Sequence, residues 1–271
     1  MGRYRGRIKL AVLDTAGVVC DGPQDLRHLY PRDDLKGVKA PVIAFDEVLS
    51  RYGLQLAWAV IRRPMGLFKR THLQRLLEDQ QVAAQFVAAH GRPWTEADID
   101  RLFEEFRPVL DEVIVREELA RPIDGVRECL AALRAEGIVI GCDTGYTASA
   151  SALLNQALAE RFGIVFDVTT NSEVVRGRPS PFMVFDCMEK ADLYPVEAVV
   201  KVDDTRAGMY EGRNAGAWTV GVYESGNDSY DQLREAEPDF LIPSIKALPE
   251  VIFNQIEPRL TRGALPGQDT R

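Results

Sequence analysis

Short runs of apolar residues recur along the chain, and most of them are followed by acidic or turn-forming residues. Runs of this kind are typical of strands buried on both faces of a parallel sheet. Stretches with helical periodicity, such as 125–136, 151–162 and 181–190, lie between several of them. The alternation predicts an α/β fold with a Rossmann-like, parallel-sheet core and right-handed crossovers. The predicted strands are residues 8–13, 137–142, 164–168, 198–202, 218–223 and 239–243.

The interval between the first predicted strand and residue 122 departs from this alternation. It shows helical periodicity, and Thr95 followed by Asp98 resembles a helix start. We therefore expect a separate helical domain over residues 22–121, inserted after the first strand. The α/β core would comprise residues 1–21 and 122–271. The polar residues 23–39 are expected to form a loop or an extra small element. The predicted helices of this helical domain are residues 42–52, 64–79, 82–90 and 96–117.

Composition restricts the partners of such a protein. The 271-residue chain has 33 basic and 41 acidic residues, so its formal net charge is −8. This balance argues against nucleic acid or an anionic membrane as the main partner. No apolar run approaches the roughly 20 residues of a membrane span. The four cysteines are scattered without a Cys-x-x-Cys pair, which favours free thiols and a cytoplasmic location. The three histidines lie far apart, which disfavours a zinc site.

Polar side chains lie just beyond the predicted strands, where ligands bind in open α/β sheets. Asp14 follows the first strand and Thr144 the second. Arg178 comes after the third strand, and Asp203 and Asp204 follow the fourth. A carboxylate nucleophile, a hydroxyl and a guanidinium for phosphate oxygens, and further carboxylates for Mg²⁺ together suit phosphoryl transfer. Each residue alone is more typical of a helix cap or a surface ion pair, but the combination in this order favours the catalytic interpretation.

These motifs resemble those of the haloacid dehalogenase superfamily of phosphotransferases. LDTAG, GCDTG and VDDT are similar to its first, second and fourth motifs, and the arginine region 176–178 is similar to its third. The helical insertion stands where that superfamily has a cap of the first type. Its usual phosphatases carry a second aspartate two residues after the nucleophile, as general acid and base. That position is Ala16 here, so an ordinary phosphate-ester hydrolase would lack its proton donor.

A narrower resemblance is to the phosphonoacetaldehyde hydrolase (phosphonatase) family, whose first motif reads Asp-x-Ala-Gly. Residues 62–72, RRPMGLFKRTH, are similar to the family's Pro-Met-Gly-Leu-x-Lys-x-x-His segment. Further matches are PIDGV, TGYT, GRPSP and EGRNAGAWTVGV. Membership implies a hydrolase of phosphonate degradation that cleaves the carbon–phosphorus bond of phosphonoacetaldehyde or a close phosphonoaldehyde. It also implies a homodimer.

The resemblance assigns roles to individual residues. Lys69 would form an imine (Schiff base) with the substrate aldehyde, which serves as an electron sink during C–P cleavage. Asp14 would accept the phosphoryl group as an aspartyl phosphate. His72, three residues after Lys69, would move protons beside it. The expected Mg²⁺ ligands are Asp14, the Ala16 carbonyl, Asp204 and, in an outer shell, Asp203. The expected substrate-binding residues are Ala16, Met65, Gly66, Thr144, Gly145, Tyr146 and Arg178.

The chain departs from the family pattern at several positions. Val18 and Val19 stand where the family has a threonine-rich pair, and Val38 stands where it has a cysteine. The family has an aspartate at the position of Gly208 and a glycine at that of Asp203, so Asp203 is the candidate to compensate. Two alternatives stay open: a phosphate-ester phosphatase of the same superfamily, and a non-catalytic protein that binds a phosphometabolite. Turnover of phosphonoacetaldehyde compared with phosphate esters would separate them.

Overall fold

The computed structural model describes residues 3–21, 38–116 and 119–268. Its strands are β1 (Leu10–Asp14), β2 (Val139–Asp143), β3 (Val168–Thr169), β4 (Val199–Asp203), β5 (Trp218–Val222) and β6 (Phe240–Ile242). They form one sheet in the order β3-β2-β1-β4-β5-β6. Every neighbouring pair runs parallel. The prediction of a parallel α/β core is confirmed.

The central strand β1 places its last residue in the middle of the sheet edge. All five of its residues are buried, and it pairs with β2 on one side and with β4 on the other. A strand covered on both faces explains the continuous apolar sequence before Asp14. Because the strands are parallel, their carboxyl ends meet at one edge. Asp14, Asp143 and Asp203, the last residues of β1, β2 and β4, therefore lie side by side.

The strand predicted over residues 164–168 is wrong in its first four residues, because β3 comprises Val168–Thr169 and shares only residue 168 with the prediction. Just before β3, Asp167 forms two hydrogen bonds with Ile140 of β2, where a longer strand would continue the backbone ladder. Its backbone N–H donates to the Ile140 carbonyl at 2.8 Å, and its Oδ2 accepts the Ile140 N–H at 2.7 Å. A side chain thus replaces one bond of the ladder. A short strand at the sheet edge also leaves few groups exposed to unwanted pairing.

The described part of the interval between β1 and residue 116 is helical, as predicted. Its helices are α1 (Ala40–Arg51), α2 (Trp58–Arg62), α3 (Lys69–Glu78), α4 (Gln80–His90) and α5 (Glu96–Arg116). The prediction of one helix over 64–79 is wrong in its first five residues, and α2 was not anticipated. Residues 64–68 form turns and an extended connection. Gly66 has a φ of +87° there, a conformation that glycine adopts at little cost, so α3 begins at Lys69.

Seven α-helices accompany the rest of the sheet in the described residues, and two of them have capping residues at both ends. The seven helices are α6 (Val126–Ala135), α7 (Ala148–Phe162), α8 (Phe182–Lys190), α9 (Arg206–Ala215), α10 (Tyr230–Glu235), α11 (Leu248–Val251) and α12 (Glu257–Thr261). The side chains of Thr147 and Thr205 accept first-turn N–H groups of α7 and α9. Gly163 and Gly216 end the same two helices in the left-handed conformation.

The helical region α1–α5 packs on the sheet region through α5, which contacts α7. Within it, Phe45 of α1 and Phe106 of α5 stack with ring centroids 4.2 Å apart. The segment that precedes this region and the segment that follows it lie next to each other. The Asp21 N–H donates to the Arg121 carbonyl at 3.3 Å. The loop expected over residues 23–39 lies outside the described residues, apart from residues 38 and 39. Among the described helices, none combines the length and the hydropathy needed to cross a bilayer.

Candidate active site

A cavity lies between the carboxyl ends of β1, β2 and β4 and the turn that precedes α3. It encloses about 250 Å³ of empty space, including the part open to solvent. We call it the main cavity. All predicted catalytic and substrate-binding residues except His72 line it, and Val38 and Thr205 line it without having been predicted as site residues. The lining residues are Asp14, Ala16, Val38, Met65, Gly66, Lys69, Thr144, Gly145, Tyr146, Arg178, Asp204 and Thr205.

In the described part of the chain, Asp14 has one cationic partner within ion-pair distance, Arg178. The Asp14 side chain is 7% exposed, and its Oδ1 accepts a hydrogen bond from Arg178 Nη2 at 2.7 Å. Burial raises the pKa of Asp14 to about 6, and the Arg178 guanidinium opposes that rise. Around neutral pH the carboxylate is therefore mainly ionised. A buried, ionised carboxylate with one free oxygen edge is chemically able to act as a nucleophile.

A buried ion network beneath Asp14 fixes the direction of Arg178. Its Nη2 also contacts Asp143 at 2.6 Å, and its Nε donates to Glu211 at 3.0 Å. The ammonium group of Lys201 contacts Asp143 as well and lies 3.4 Å from Glu211. Burial opposes the charges of both cations, but the surrounding acids outweigh it and raise the pKa of Arg178 well above its usual value. Arg178 is thus a permanent positive charge aimed into the cavity.

The sequence analysis missed Asp143, Lys201 and Glu211 as members of this network. A signal was present in β4, whose sequence VVKVD places Lys201 between apolar residues. A lysine is rarely buried in a strand unless carboxylates surround it. Lys201 is fully buried here, which required acids that the sequence alone did not assign to it.

The acidic residues at this edge fit a divalent cation. Carboxylate oxygens of Asp14, Asp203 and Asp204 lie within 4.8 Å of one another. Oδ1 of Asp204 is buried and has no hydrogen-bond partner among the described residues, while its Oδ2 accepts the Asn227 N–H at 2.6 Å. Burial and the charges of Asp14 and Asp203 raise the pKa of Asp204 well above its usual value. Uncompensated oxygen ligands of this kind suit a hard cation such as Mg²⁺.

The Asp203 carboxylate lies against the backbone of Gly208, where a larger residue would have its side chain. Thr205 donates both its N–H, at 3.0 Å, and its hydroxyl, at 2.8 Å, to Oδ1 of Asp203. Oδ2 of Asp203 contacts Lys201 at 3.0 Å. A Cβ atom at position 208 would overlap the Asp203 carboxylate. The acid at 203 therefore occupies the space into which a side chain at 208 would extend.

Lys69 begins α3 and projects its amine into the main cavity. The residue is 2% exposed, and its Nζ lies 5.0 Å from the Tyr146 ring centroid and 3.8 Å from Met65 Sδ. Burial lowers the pKa of Lys69 to about 7, against the opposing effect of Asp14. A large fraction of Lys69 is consequently a neutral amine near pH 7, the form that attacks a carbonyl carbon.

His72 lies one turn further along α3 and does not line the main cavity. It is fully buried, and its ring packs 4.2 Å from that of Phe45. Its Nε2 lies 2.7 Å from the Ile61 carbonyl, so Nε2 carries the proton and donates it. Burial, and then the charge of Lys69, lower the pKa of His72 well below its usual value. The imidazole is neutral and fixed, and its role in proton movement stays a prediction.

Two glycines allow the turn before α3 to approach the sheet edge closely. A Cβ atom on Gly145 would lie 3.0 Å from the carbonyl oxygens of Gly66 and Leu67. A Cβ atom on Gly66 would meet the Thr205 hydroxyl. The close approach of these backbones is what brings Lys69 and Asp14 into one cavity.

A parallel α/β sheet with an aspartate after its central strand, an arginine facing that aspartate and further acids beside it defines a phosphotransferase-type hydrolase. The family model of the haloacid dehalogenase-like hydrolases matches residues 8–216, and the chain belongs to this family of enzymes. Its relatives include the phosphonoacetaldehyde hydrolase of Nitratidesulfovibrio vulgaris, which is 33% identical over 286 residues, 97% of this chain and 96% of that protein. The phosphonoacetaldehyde hydrolase of Bordetella pertussis is 33% identical over 285 residues, 96% of each chain.

Solved structures agree with this assignment. A phosphonoacetaldehyde hydrolase-like protein from Oleispira antarctica matches with a TM-score of 0.87 and 31% identity, over 98% of both chains. A β-phosphoglucomutase from Clostridium difficile matches with a TM-score of 0.66 at 16% identity, which shows the fold alone. The predicted resemblance to the haloacid dehalogenase superfamily and to phosphonoacetaldehyde hydrolases is confirmed.

Proposed function

We propose that this hydrolase cleaves the carbon–phosphorus bond of phosphonoacetaldehyde or a close phosphonoaldehyde and releases an aldehyde and phosphate. The observation that carries the proposal is the meeting of Lys69 and Asp14 in the main cavity, with an alanine at position 16. Hydrolysis of a phosphate ester requires a proton donor for the leaving oxygen, and Ala16 has none. Cleavage of a C–P bond requires an electron sink for the leaving carbon, which a lysine imine supplies.

The proposed reaction uses the two side chains in turn. The neutral amine of Lys69 condenses with the aldehyde and releases water. Asp14 then attacks phosphorus, the C–P bond breaks, and its electron pair moves into the protonated imine to give an enamine. Protonation of the enamine carbon and hydrolysis of the imine release acetaldehyde. Water finally cleaves the aspartyl phosphate. In this scheme Arg178 and Thr144 bind phosphoryl oxygens, which keeps phosphorus in line with Asp14.

Mg²⁺ is the cation that we propose for the acidic edge of the cavity. Asp14, the Ala16 carbonyl and Asp204 would hold it, with Asp203 supporting the site from its ion pair with Lys201. When bound, the cation neutralises negative charge between the Asp14 carboxylate and the phosphoryl group. The orphaned Oδ1 of Asp204 supports this ligand set. His72, on the far side of Lys69, would hold or move a proton near the imine.

Access to the main cavity supports a division into two domains. Lys69 and Asp14 are both almost completely buried, and separation of the elements on which they stand would widen the access of a substrate to them. We propose that residues 22–121 form a cap domain that moves relative to a core of residues 1–21 and 122–271. We further propose a cytoplasmic homodimer, a proposal supported by the resemblance to the phosphonoacetaldehyde hydrolases.

The test compares substrates and then traps the intermediate. The protein should hydrolyse phosphonoacetaldehyde at least about a hundredfold faster than any member of a panel of phosphate esters, because a missing general acid costs about a hundredfold or more in ester hydrolysis. Borohydride with phosphonoacetaldehyde should inactivate the protein and add the carbon skeleton to the peptide that contains Lys69. Lys69→Arg should lose both labelling and turnover, because a guanidinium stays protonated.

A matched control is Lys190→Arg, which changes a partly exposed lysine paired with Asp186. This variant should keep wild-type labelling and turnover. Labelling at another lysine, or an active Lys69→Arg protein, would contradict the imine proposal. Preferential turnover of phosphate esters would establish the ester phosphatase instead.

A further inference from the structure

A second cavity adjoins the main cavity and is not used by the proposed reaction. It encloses about 220 Å³ of empty space, including the part open to solvent. We call it the side cavity. Its lining residues are Ala16, Cys20, Asp21, Val38, Lys39, Ala40, Leu119, Tyr146 and Leu154.

The side cavity lies next to the place where the carbon atoms of the substrate must lie. Ala16, Val38 and Tyr146 line both cavities. In the proposed reaction, the two carbons of phosphonoacetaldehyde span the space between the Lys69 amine and the phosphoryl group at Asp14. The Tyr146 ring is 5.0 Å from the Lys69 amine, so these carbons pass beside the shared wall. A substituent on either carbon would therefore lie at this shared wall, next to the side cavity.

The walls of the side cavity favour an apolar group. Its two charged residues already pair with each other, because Nζ of Lys39 donates to the Asp21 carbonyl at 3.0 Å and lies 3.6 Å from Oδ2 of Asp21. Among the residues that the structure describes, the remaining wall consists of aliphatic side chains, a thiol and the Tyr146 ring. A water molecule needs two to four polar partners to be stable in such a space, whereas a methyl group needs none.

We propose that the substrates of this enzyme include phosphonocarbonyl compounds with a small apolar substituent on the two-carbon unit, and that the side cavity receives that substituent. The proposal rests on the proposed C–P hydrolase function and extends its substrate class. The two compounds that represent the class are 2-phosphonopropanal, with a methyl group on the carbon bonded to phosphorus, and phosphonoacetone, with a methyl group on the carbonyl carbon.

The substituent leaves the chemistry balanced as before. Lys69 condenses with the carbonyl and releases one water, and the C–P bond breaks as phosphorus bonds to Asp14. The electron pair of that bond moves into the imine, and the resulting enamine takes a proton at carbon. Hydrolysis of the imine and of the aspartyl phosphate consumes two waters. The net reaction consumes one water and yields phosphate with propanal or acetone instead of acetaldehyde.

The experiment measures kcat/KM for phosphonoacetaldehyde, 2-phosphonopropanal and phosphonoacetone. Two variants enlarge side chains that line the side cavity but not the main cavity. These filling variants are Leu154→Phe on α7 and Ala40→Val at the start of α1. The matched control is Leu158→Phe, one turn further along α7, where the buried side chain does not line the cavity. Circular dichroism verifies the fold of each variant, and Ala40→Val answers the question if Leu154→Phe does not fold.

Wild-type protein is expected to hydrolyse at least one methyl-substituted compound with kcat/KM within about tenfold of phosphonoacetaldehyde, since a well-received methyl group costs little. The filling variants should lower kcat/KM for that compound by about tenfold or more, with less than about a twofold change for phosphonoacetaldehyde. Leu158→Phe should not change the ratio of kcat/KM for the methyl-substituted compound to kcat/KM for phosphonoacetaldehyde. Rejection of both methyl compounds by an enzyme active on phosphonoacetaldehyde would overturn this inference alone, as would equal losses on all substrates in the filling variants. Failure to hydrolyse phosphonoacetaldehyde itself would overturn the proposed function.

Discussion

Imine formation at Lys69 is predicted to follow a titration centred near pH 7. Burial lowers the pKa of Lys69 from 10.5 to about 7. At pH 7 about half of Lys69 is then neutral, whereas an exposed lysine with its ordinary pKa is neutral in only about one molecule in three thousand. Below pH 7 the neutral fraction falls about tenfold per pH unit, so that about 1% is left at pH 5.

Asp14→Asn supplies a second perturbation with a defined sign. The Asp14 carboxylate favours the charged form of Lys69 and raises its pKa. Removing that negative charge should lower the pKa of Lys69 further, by about one unit, and shift the midpoint of trapping to lower pH. The amide cannot accept a phosphoryl group, so the variant reports imine formation without turnover.

The assay incubates each protein with acetaldehyde and cyanoborohydride in metal-free buffer from about pH 5 to about pH 11, a span that brackets both the expected pKa of Lys69 and the ordinary pKa of a lysine. Mass spectrometry then measures the ethylated fraction of the peptide that contains Lys69. Lys69→Met is the control for labelling at other amines. At each pH, the labelled fraction of Asp14→Asn is divided by the labelled fraction of the wild-type protein. This ratio removes the pH dependence of the reagent. A wild-type midpoint near pH 10, or an upward shift in Asp14→Asn, would refute the assignment of Lys69 as a buried neutral amine.

The remaining predictions concern the acids around Asp14. Removal of divalent cations by chelation should abolish turnover, and Asp204→Ala should raise the Mg²⁺ concentration for half-maximal activity by about tenfold or more; full activity after exhaustive chelation would contradict the metal proposal. Asp203→Gly should lower the free energy of unfolding by about 3 kcal/mol in a denaturant titration, because it unbalances a buried ion network. Gly208→Asp should also destabilise the protein by overlap, and the double variant Asp203→Gly/Gly208→Asp should recover part of the loss. Additive losses would show that the two positions do not share space.

Much of the fold could be predicted because the strands of this sheet are buried on both faces. Burial requires continuous apolar runs, and the runs before Asp14 and Asp203 mark β1 and β4 within two residues. Burial does not determine strand length at the sheet edge. There, Asp167 pairs with Ile140 through its side chain and shortens β3, and no local pattern distinguishes that acid from a residue in a loop.

Part of the candidate site could be predicted because its motifs lie at the carboxyl ends of predicted strands. Parallel strands bring Asp14, Thr144 and Asp204 to the same edge of the sheet. The break before α3 was harder to predict. A helical pattern continues through residues 64–68, but Gly66 has a positive φ and lies so close to Thr205 that a Cβ atom there would meet its hydroxyl. Both are consequences of tertiary packing. The burial of His72 behind Lys69 likewise depends on the contact with Phe45, a residue distant in sequence.

The alanine at position 16 and the buried amine of Lys69 are linked by electrostatics. Ala16 and Lys69 line the same cavity, so an aspartate at position 16 would add a second carboxylate within the field of Lys69. Like Asp14, that carboxylate would favour the ammonium form and raise the pKa of Lys69. A site with both groups would hold a proton donor for ester hydrolysis but would lose the neutral amine that imine formation needs. The absence of an acid at position 16 therefore leaves the Lys69 amine free of that second negative charge, and the two features together support the proposed cleavage of a C–P bond over cleavage of an ester.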